Sequence, residues 1–395
     1  VDVHTHLELT VLRGSLEETD FFRWIRRLTR TKYEILDRDD LLVSALAGCL
    51  EATRAGVTTV GEVCDLGVAR EALELAGLRA VLFQEVFGPD PAKAQESLAG
   101  LRESLALHRE ALRSNRITLG VSPHAPYTVS APLFQAVTRL ALEERLPMTT
   151  HAAESRAERD FVRDGTGPFA RFLESRGIDR EPPGCSTIAW LDELGCLEAK
   201  PLLVHAIQCD AEDLRRIVES GSAVAHCPKS NAKLGHGIAP FGELRSAGAT
   251  VGLGSDSVAS NNSLDLLEEA RFAALIARGR CASNGCSDPL PTPRDILRLA
   301  TLDGARALGL DAEIGSLEVG KRADLIAVDL AAPNVAPVHD PEAAVAWSAC
   351  AANVVFTAVE GEILFERDRY FRLSTKDILE RVEEIACRIA RAGES

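Results

Sequence analysis

His4 and His6 stand two residues apart in the opening run VDVHTH. Alternate side chains of a strand share a face, so both imidazoles point to one side and together can chelate a divalent cation. His151 closes a second apolar run, PMTTHAAES, and Asp256 closes a third, TVGLGSDS, which makes three imidazoles and one carboxylate available at strand ends. That donor set suits zinc or ferrous iron, and a coordination position left to water would make the centre catalytic. Glu154 follows His151 by three residues, where it can exchange a proton with a substrate nitrogen. His124, His205 and His226 close or nearly close three further runs, so six of the nine histidines lie at such ends. His108 falls in a helical segment and His236 and His339 in loops, and a structural or solvated role is expected for all three.

The elements that must position these groups recur in a regular order. Short β-branched runs at 1–6, 57–63, 79–86, 117–124, 147–151, 202–206, 222–226 and 250–256 alternate with Ala- and Leu-rich segments of helical spacing, including 39–55, 94–113, 131–144, 211–219 and 263–277. Alternation of this kind implies βαβ units and a parallel sheet, and eight repeats imply a closed barrel. Catalytic groups of such barrels gather at the C-terminal ends of the strands, where this sequence places its histidines. A helical stretch at 292–308 leads into EIGSLEVGKRADLIAVDL and NVVFTAVEGEILFE, two Gly-punctuated strand-like stretches, and residues 375–391 have helical spacing and are expected to pack back on the body. The expected class is α/β: a distorted (β/α)8 barrel over residues 1–310, a small β-sandwich domain over 311–372 and a C-terminal helix over 373–395. The Gly-rich runs GLGSDS and GHGIAP lack the strand-to-helix context of a phosphate-binding loop and read as turns at the barrel rim.

Composition narrows the partners. A net charge of -15 argues against a polyanion held on a basic face, so nucleic acid is not expected. The ten cysteines show neither CxxC pairs nor the density of a small secreted scaffold, so reduced thiols, no structural disulfide and a cytoplasmic location are expected. No apolar run approaches the roughly 18 residues of a membrane helix, and no signal-like segment opens the chain.

HTHLE, SPHAPYTVS, HAAES, the His205 strand, HCPKSNAKLGHGIAPF, GLGSDSVASNNSLDLLEEAR and GSLEVGKRADLIAVD occur in this order over nearly the whole chain. Together they resemble the amidohydrolase superfamily, in the branch that holds the S-adenosylhomocysteine/methylthioadenosine deaminases, aminodeoxyfutalosine deaminases, guanine deaminases and triazine chlorohydrolases. The resemblance implies His4, His6, His151 and Asp256 as metal ligands and Glu154, His205 and Asp256 as catalytic groups. Relatives with two metals carry a carboxylated lysine at the end of the fourth strand; ITLGVSPHAP has none, which implies one divalent ion, zinc in the first place and iron as the alternative.

The implied reaction is hydrolytic deamination of a 6-aminopurine nucleoside, either aminodeoxyfutalosine or the methylthioadenosine, S-adenosylhomocysteine and adenosine group. Hydrolysis of another amino- or chloro-substituted heterocycle, or a binding protein without activity, are the alternatives. HTHLELT and RGSLEETDFFRWIRRL look closest to the aminodeoxyfutalosine enzymes. His124, Trp24 and Ser257 are the expected substrate contacts; Arg23, Arg26 and Arg27 could pair with a carboxylate but read better as solvated residues of an amphipathic surface helix. A homodimer is implied by relatives. Relatives also carry some tens of residues before the first barrel strand, so the small β domain is expected to be incomplete at its N-terminal side.

Overall fold

The computed structural model describes residues 1–285 and 290–393. Eight parallel strands appear in chain order: β1 (Asp2–Thr5), β2 (Thr59–Cys64), β3 (Arg79–Val86), β4 (Ile117–Pro123), β5 (Thr149–Ala152), β6 (Leu202–His205), β7 (Ala223–His226) and β8 (Thr250–Leu253). They form two continuous ladders, β1 to β4 and β5 to β8. Single bridges join the ladders, Val121 with Met148 and Thr5 with Asp256. Backbone bonds cross both seams, from Asp256 N to His4 O at 2.8 Å and from His151 N to His124 O at 2.9 Å. The result is the expected (β/α)8 barrel.

Six of the eight strands are buried along their whole length, as parallel strands must be when helices cover one face and barrel side chains the other. Val3, Val63, Val81, Phe83 and Val204 pack inside together with Ala305 and Leu308, so the segment after the barrel closes its N-terminal end. That segment was expected to be one helix. It is two, Pro293–Leu299 and Leu302–Ala307, because Thr301 leaves helical geometry at φ −129° and ψ −96°. Reciprocal caps begin several barrel helices, Asp37 with Asp40 before Arg38–Arg54 and Asp210 with Asp213 before Ala211–Ser220.

Strands β9 (Leu325–Val328), β10 (Val354–Val359), β11 (Glu362–Glu366) and β12 (Arg369–Tyr370) make one antiparallel sheet in the order β12-β11-β10-β9. A sandwich needs two sheets. Among the described residues this region has one, and Ile326, Val328 and Val354 pack instead on Val345 of the helix Pro341–Ser348 and on Leu267. The terminal helix Thr375–Gly393 returns to the barrel, burying Ile385 and Ile389 against the group that holds Leu12, Leu16, Trp24 and Leu41.

Among the described residues eight cysteines are free thiols, but Cys281 is disulfide-bonded, against the expectation from composition. Spacing along the chain does not report which sulfurs a fold brings within bonding distance. No helix among the described residues is long and apolar enough to cross a membrane.

Candidate metal centre and active site

One ring nitrogen each from His4, His6 and His151 lies within 4.8 Å of the others. Asp256 Oδ1 stands 3.5 Å from His4 Nε2 and 3.8 Å from His6 Nε2. Asp256 has φ +60°, a left-handed conformation that non-glycine residues avoid and that turns its carboxylate inward off the line of β8. Its oxygens are fixed from behind: Oδ1 accepts from Ser257 N at 2.7 Å, and Oδ2 from the hydroxyls of Ser260, at 3.1 Å, and Ser230. Gly254 permits the approach, since a Cβ there would lie 2.8 Å from that of His4.

Both ring nitrogens of His4 are sealed from solvent without a hydrogen-bond partner. Leaving such atoms unpaired is costly, and a cation among these four residues would relieve one of the two, so the donor set fits a divalent metal ion. Burial and the neighbouring imidazoles push His151 down to about 3 and His6 well below the ordinary range, which keeps both in the neutral, ligating form. Burial acts to raise Asp256, but the neighbouring imidazoles of His4, His205 and His6 outweigh it and hold the carboxyl well below its usual value.

Glu85, His124 and His151 form a second group of similar compactness. His151 Nδ1 already donates to His124 O at 3.1 Å, leaving only Nε2 free. The two groups therefore compete for one atom, and only one can be filled at a time.

Glu154 sits beyond β5 and is 4% exposed. Its Oε1 lies 3.6 Å from His205 Nε2 and 3.4 Å from His236 Nε2, and its Oε2 accepts from the Tyr127 hydroxyl at 3.3 Å. Burial acts to raise this carboxyl, yet the charges of His205 and His236 win and hold it at about 2. His205, at φ +78°, donates from Nδ1 to Asn231 Oδ1 at 2.9 Å, which turns Nε2 toward Glu154. Beneath, Glu158 accepts from the backbone N–H of Ala153 at 2.7 Å and of Glu154 at 2.8 Å, and from Thr187 Oγ1 at 2.8 Å.

A cavity of about 500 Å³ opens over these groups. Its roof is the helix Phe21–Arg30 and the single wide turn Thr31–Ile35. Lys32 of that turn is buried and ion-paired with Glu8 and Asp65, which ties the roof to β1 and β2. Tyr127 stacks on Phe169 at 4.0 Å to form a side wall.

All the expected residues except His4 line this cavity, and His4 lies sealed beneath it. His124 pairs through Nδ1 with Thr128 Oγ1 at 2.6 Å, and its Nε2 is 4.0 Å from Glu85 Oε1. Trp24 is only 6% exposed and stacks behind Phe21 at 6.2 Å, so it offers the cavity little more than an edge. The Ser257 hydroxyl oxygen accepts from Ala259 N at 3.1 Å, capping a short helix.

His236, expected in a structural or solvated loop position, is not solvated but buried against Glu154. His226, counted with the rim histidines, lies outside the cavity, stacked on Phe241 at 5.0 Å. Glu158, Glu85 and Phe169 were not foreseen. The only sequence signal for Glu158 is its place four residues beyond Glu154 at the start of a helix, where an acid also reads as a favourable dipole partner.

The sequence pattern of the amidohydrolase family matches residues 1–364. A 5-methylthioadenosine/S-adenosylhomocysteine deaminase of Moorella thermoacetica is 33% identical over 97% of this chain and 84% of its own length. The like-named protein of Haloarcula marismortui is 32% identical over the whole of this chain and 87% of its own. Among solved structures, an adenosine deaminase from Xanthomonas campestris with bound zinc superposes with a TM-score of 0.86 at 28% identity, covering 99% of this chain and 84% of that one. Sequence pattern, relatives and barrel agree, and the chain belongs to the amidohydrolase family.

Proposed function

We propose that this amidohydrolase is a metal-dependent deaminase of 6-aminopurine nucleosides, with His4, His6, His151 and Asp256 holding one zinc ion and Glu154, His205 and Asp256 carrying the proton transfers. The observation that carries it is the Glu154 carboxylate, buried between two imidazoles and a phenol beside the cation-binding cluster and beneath a cavity of nucleoside size. The names of the relatives and the zinc in the Xanthomonas campestris structure support the same reading.

A divalent ion bound there supplies Lewis acidity, bringing a water molecule within reach of deprotonation near neutral pH. Asp256, steadied by Ser230, Ser257 and Ser260, accepts the proton of the attacking water. Glu154, ionised in the free site, takes up the other proton of the water and delivers it to the ring nitrogen next to the amino-bearing carbon. His205, fixed by Asn231, faces the charge that develops on the oxygen added at that carbon. The carbon–nitrogen bond breaks as Asp256 passes its proton to the departing amino group, the water oxygen stays on the ring and ammonia leaves. Glu85 and His124, side by side in the wall, face the sugar.

Arg26 and Arg176 both line the cavity, and neither has an ion-pair partner among the described residues. They favour nucleosides whose 5′ substituent carries a carboxylate, a class that includes S-adenosylhomocysteine and aminodeoxyfutalosine. A cytoplasmic location and a homodimer belong to this reading.

The test is ammonia release by zinc-loaded protein offered methylthioadenosine, S-adenosylhomocysteine, aminodeoxyfutalosine, adenosine, guanine and a chlorotriazine. Turnover confined to the adenine nucleosides is expected; turnover of guanine or the triazine alone, or of none, overturns the proposal.

A further inference from the structure

His236 is placed with more care than a solvated loop residue needs. It is 7% exposed and lies between two glycines with positive φ, Gly235 at +70° and Gly237 at +112°, which allow the chain to double back toward the barrel axis. Its backbone N–H donates to Asn231 O at 2.9 Å, and its carbonyl accepts from Gln208 Nε2 at 3.2 Å. Asn231 thus holds both imidazoles that flank Glu154, His205 through its side chain and His236 through its backbone. Phe21 of the roof helix meets the His236 ring edge-on at 4.3 Å.

The sealed Nε2 of His236 lies 3.4 Å from Glu154 Oε1, yet it makes no aligned hydrogen bond there or elsewhere. A buried nitrogen without a partner is unfavourable, and this one is aimed at a carboxylate that must change its protonation state during turnover. Such contacts are often long and poorly aligned in the free enzyme and tighten when a ligand fills the site.

We propose that His236 is a positioning residue: it donates to Glu154 once substrate presses the roof helix down on it through Phe21, and so fixes the carboxylate for proton delivery to the ring. Glu154 then has one donor for each role. Tyr127 holds Oε2, while His205 and His236 bracket Oε1 and keep the carboxylate from swinging out of line with the ring nitrogen. Because Phe21 belongs to the element that roofs the cavity, occupancy of the cavity is felt at the acid itself.

The inference rests on the assignment of Glu154 as the proton donor, so Glu154→Gln is measured first, with zinc content determined alongside. A Glu154→Gln enzyme that keeps its zinc and its full rate removes the functional assignment itself. If Glu154→Gln is inactive, His236→Leu and His236→Gln are compared. His236→Leu is expected to lower kcat by about tenfold to a hundredfold with KM changed less than about threefold, and His236→Gln, which keeps an N–H, to recover most of that loss. A His236→Leu enzyme with unchanged kcat overturns the inference. So does an equal loss in both variants, which marks a purely steric role that any replacement disturbs.

Discussion

His205 Nδ1 donates to Asn231 Oδ1 at 2.9 Å, and this one bond sets the orientation of the imidazole that faces Glu154. An amide oxygen can only accept, so Nδ1 carries a proton and Nε2 is turned into the site. Asn231→Leu removes the acceptor and frees the ring to flip. A fall in kcat of about tenfold to a hundredfold is expected with zinc content unchanged, and Asn231→Asp, which still accepts, is expected to lose less. Steady-state kinetics with elemental analysis on both variants checks this.

His151 offers the centre a single free nitrogen because its other nitrogen is committed to His124 O. His151→Ala is therefore expected to lose bound zinc and at least about a thousandfold of turnover together. Retained zinc and full rate in that variant would sink the ligand assignment.

Glu158 gives a dependence of stability on pH with a definite sign. Burial pushes its carboxyl up to about 7 against three hydrogen bonds that pull it down. Between its ordinary value near 4.5 and about 7, the folded chain therefore keeps a proton that the unfolded chain has released. The contribution of this group is full below about 4.5, falls as pH rises and is gone above about 7. The difference in melting temperature between the parent and Glu158→Gln, followed from pH 4.5 to 8, is expected to shift in favour of the variant as pH rises. A difference that stays flat over this window refutes the shift.

Arg26 and Arg176 predict selectivity in binding and not in chemistry. Replacing either by Gln is expected to raise KM for carboxylate-bearing nucleosides by about tenfold while adenosine is little affected. An equal change for both substrates would mean that the guanidinium groups act through packing on the roof and wall.

The barrel was legible because each strand is a short apolar run and the helices between them carry caps such as Asp37 and Asp210. His4, His6, His151 and Asp256 were legible for the same reason: each stands at or just past the end of a run, and strand ends converge at one rim. His236 was not, since it follows a helix and a glycine turn, and nothing local says that the turn folds back onto Glu154. Phe169 comes from Gly167–Glu174, a short helix between β5 and β6 whose packing against Tyr127 is decided by tertiary contact alone. The π-type turn at Lys32 is likewise visible only once Glu8 and Asp65 are seen to need a buried cation.

The two seams of the barrel give the metal site a mechanical meaning. His4 and His6 come from the ladder β1 to β4 or its end, and His151 and Asp256 from the ladder β5 to β8 or its end, while among the described residues single bridges join the two ladders. Each half of the barrel contributes two of the four proposed ligands, so an ion bound by all four would be a clasp between the halves. Its binding energy is then added to the cohesion of the fold, and stripping the ion should loosen the molecule along those two lines before any helix melts.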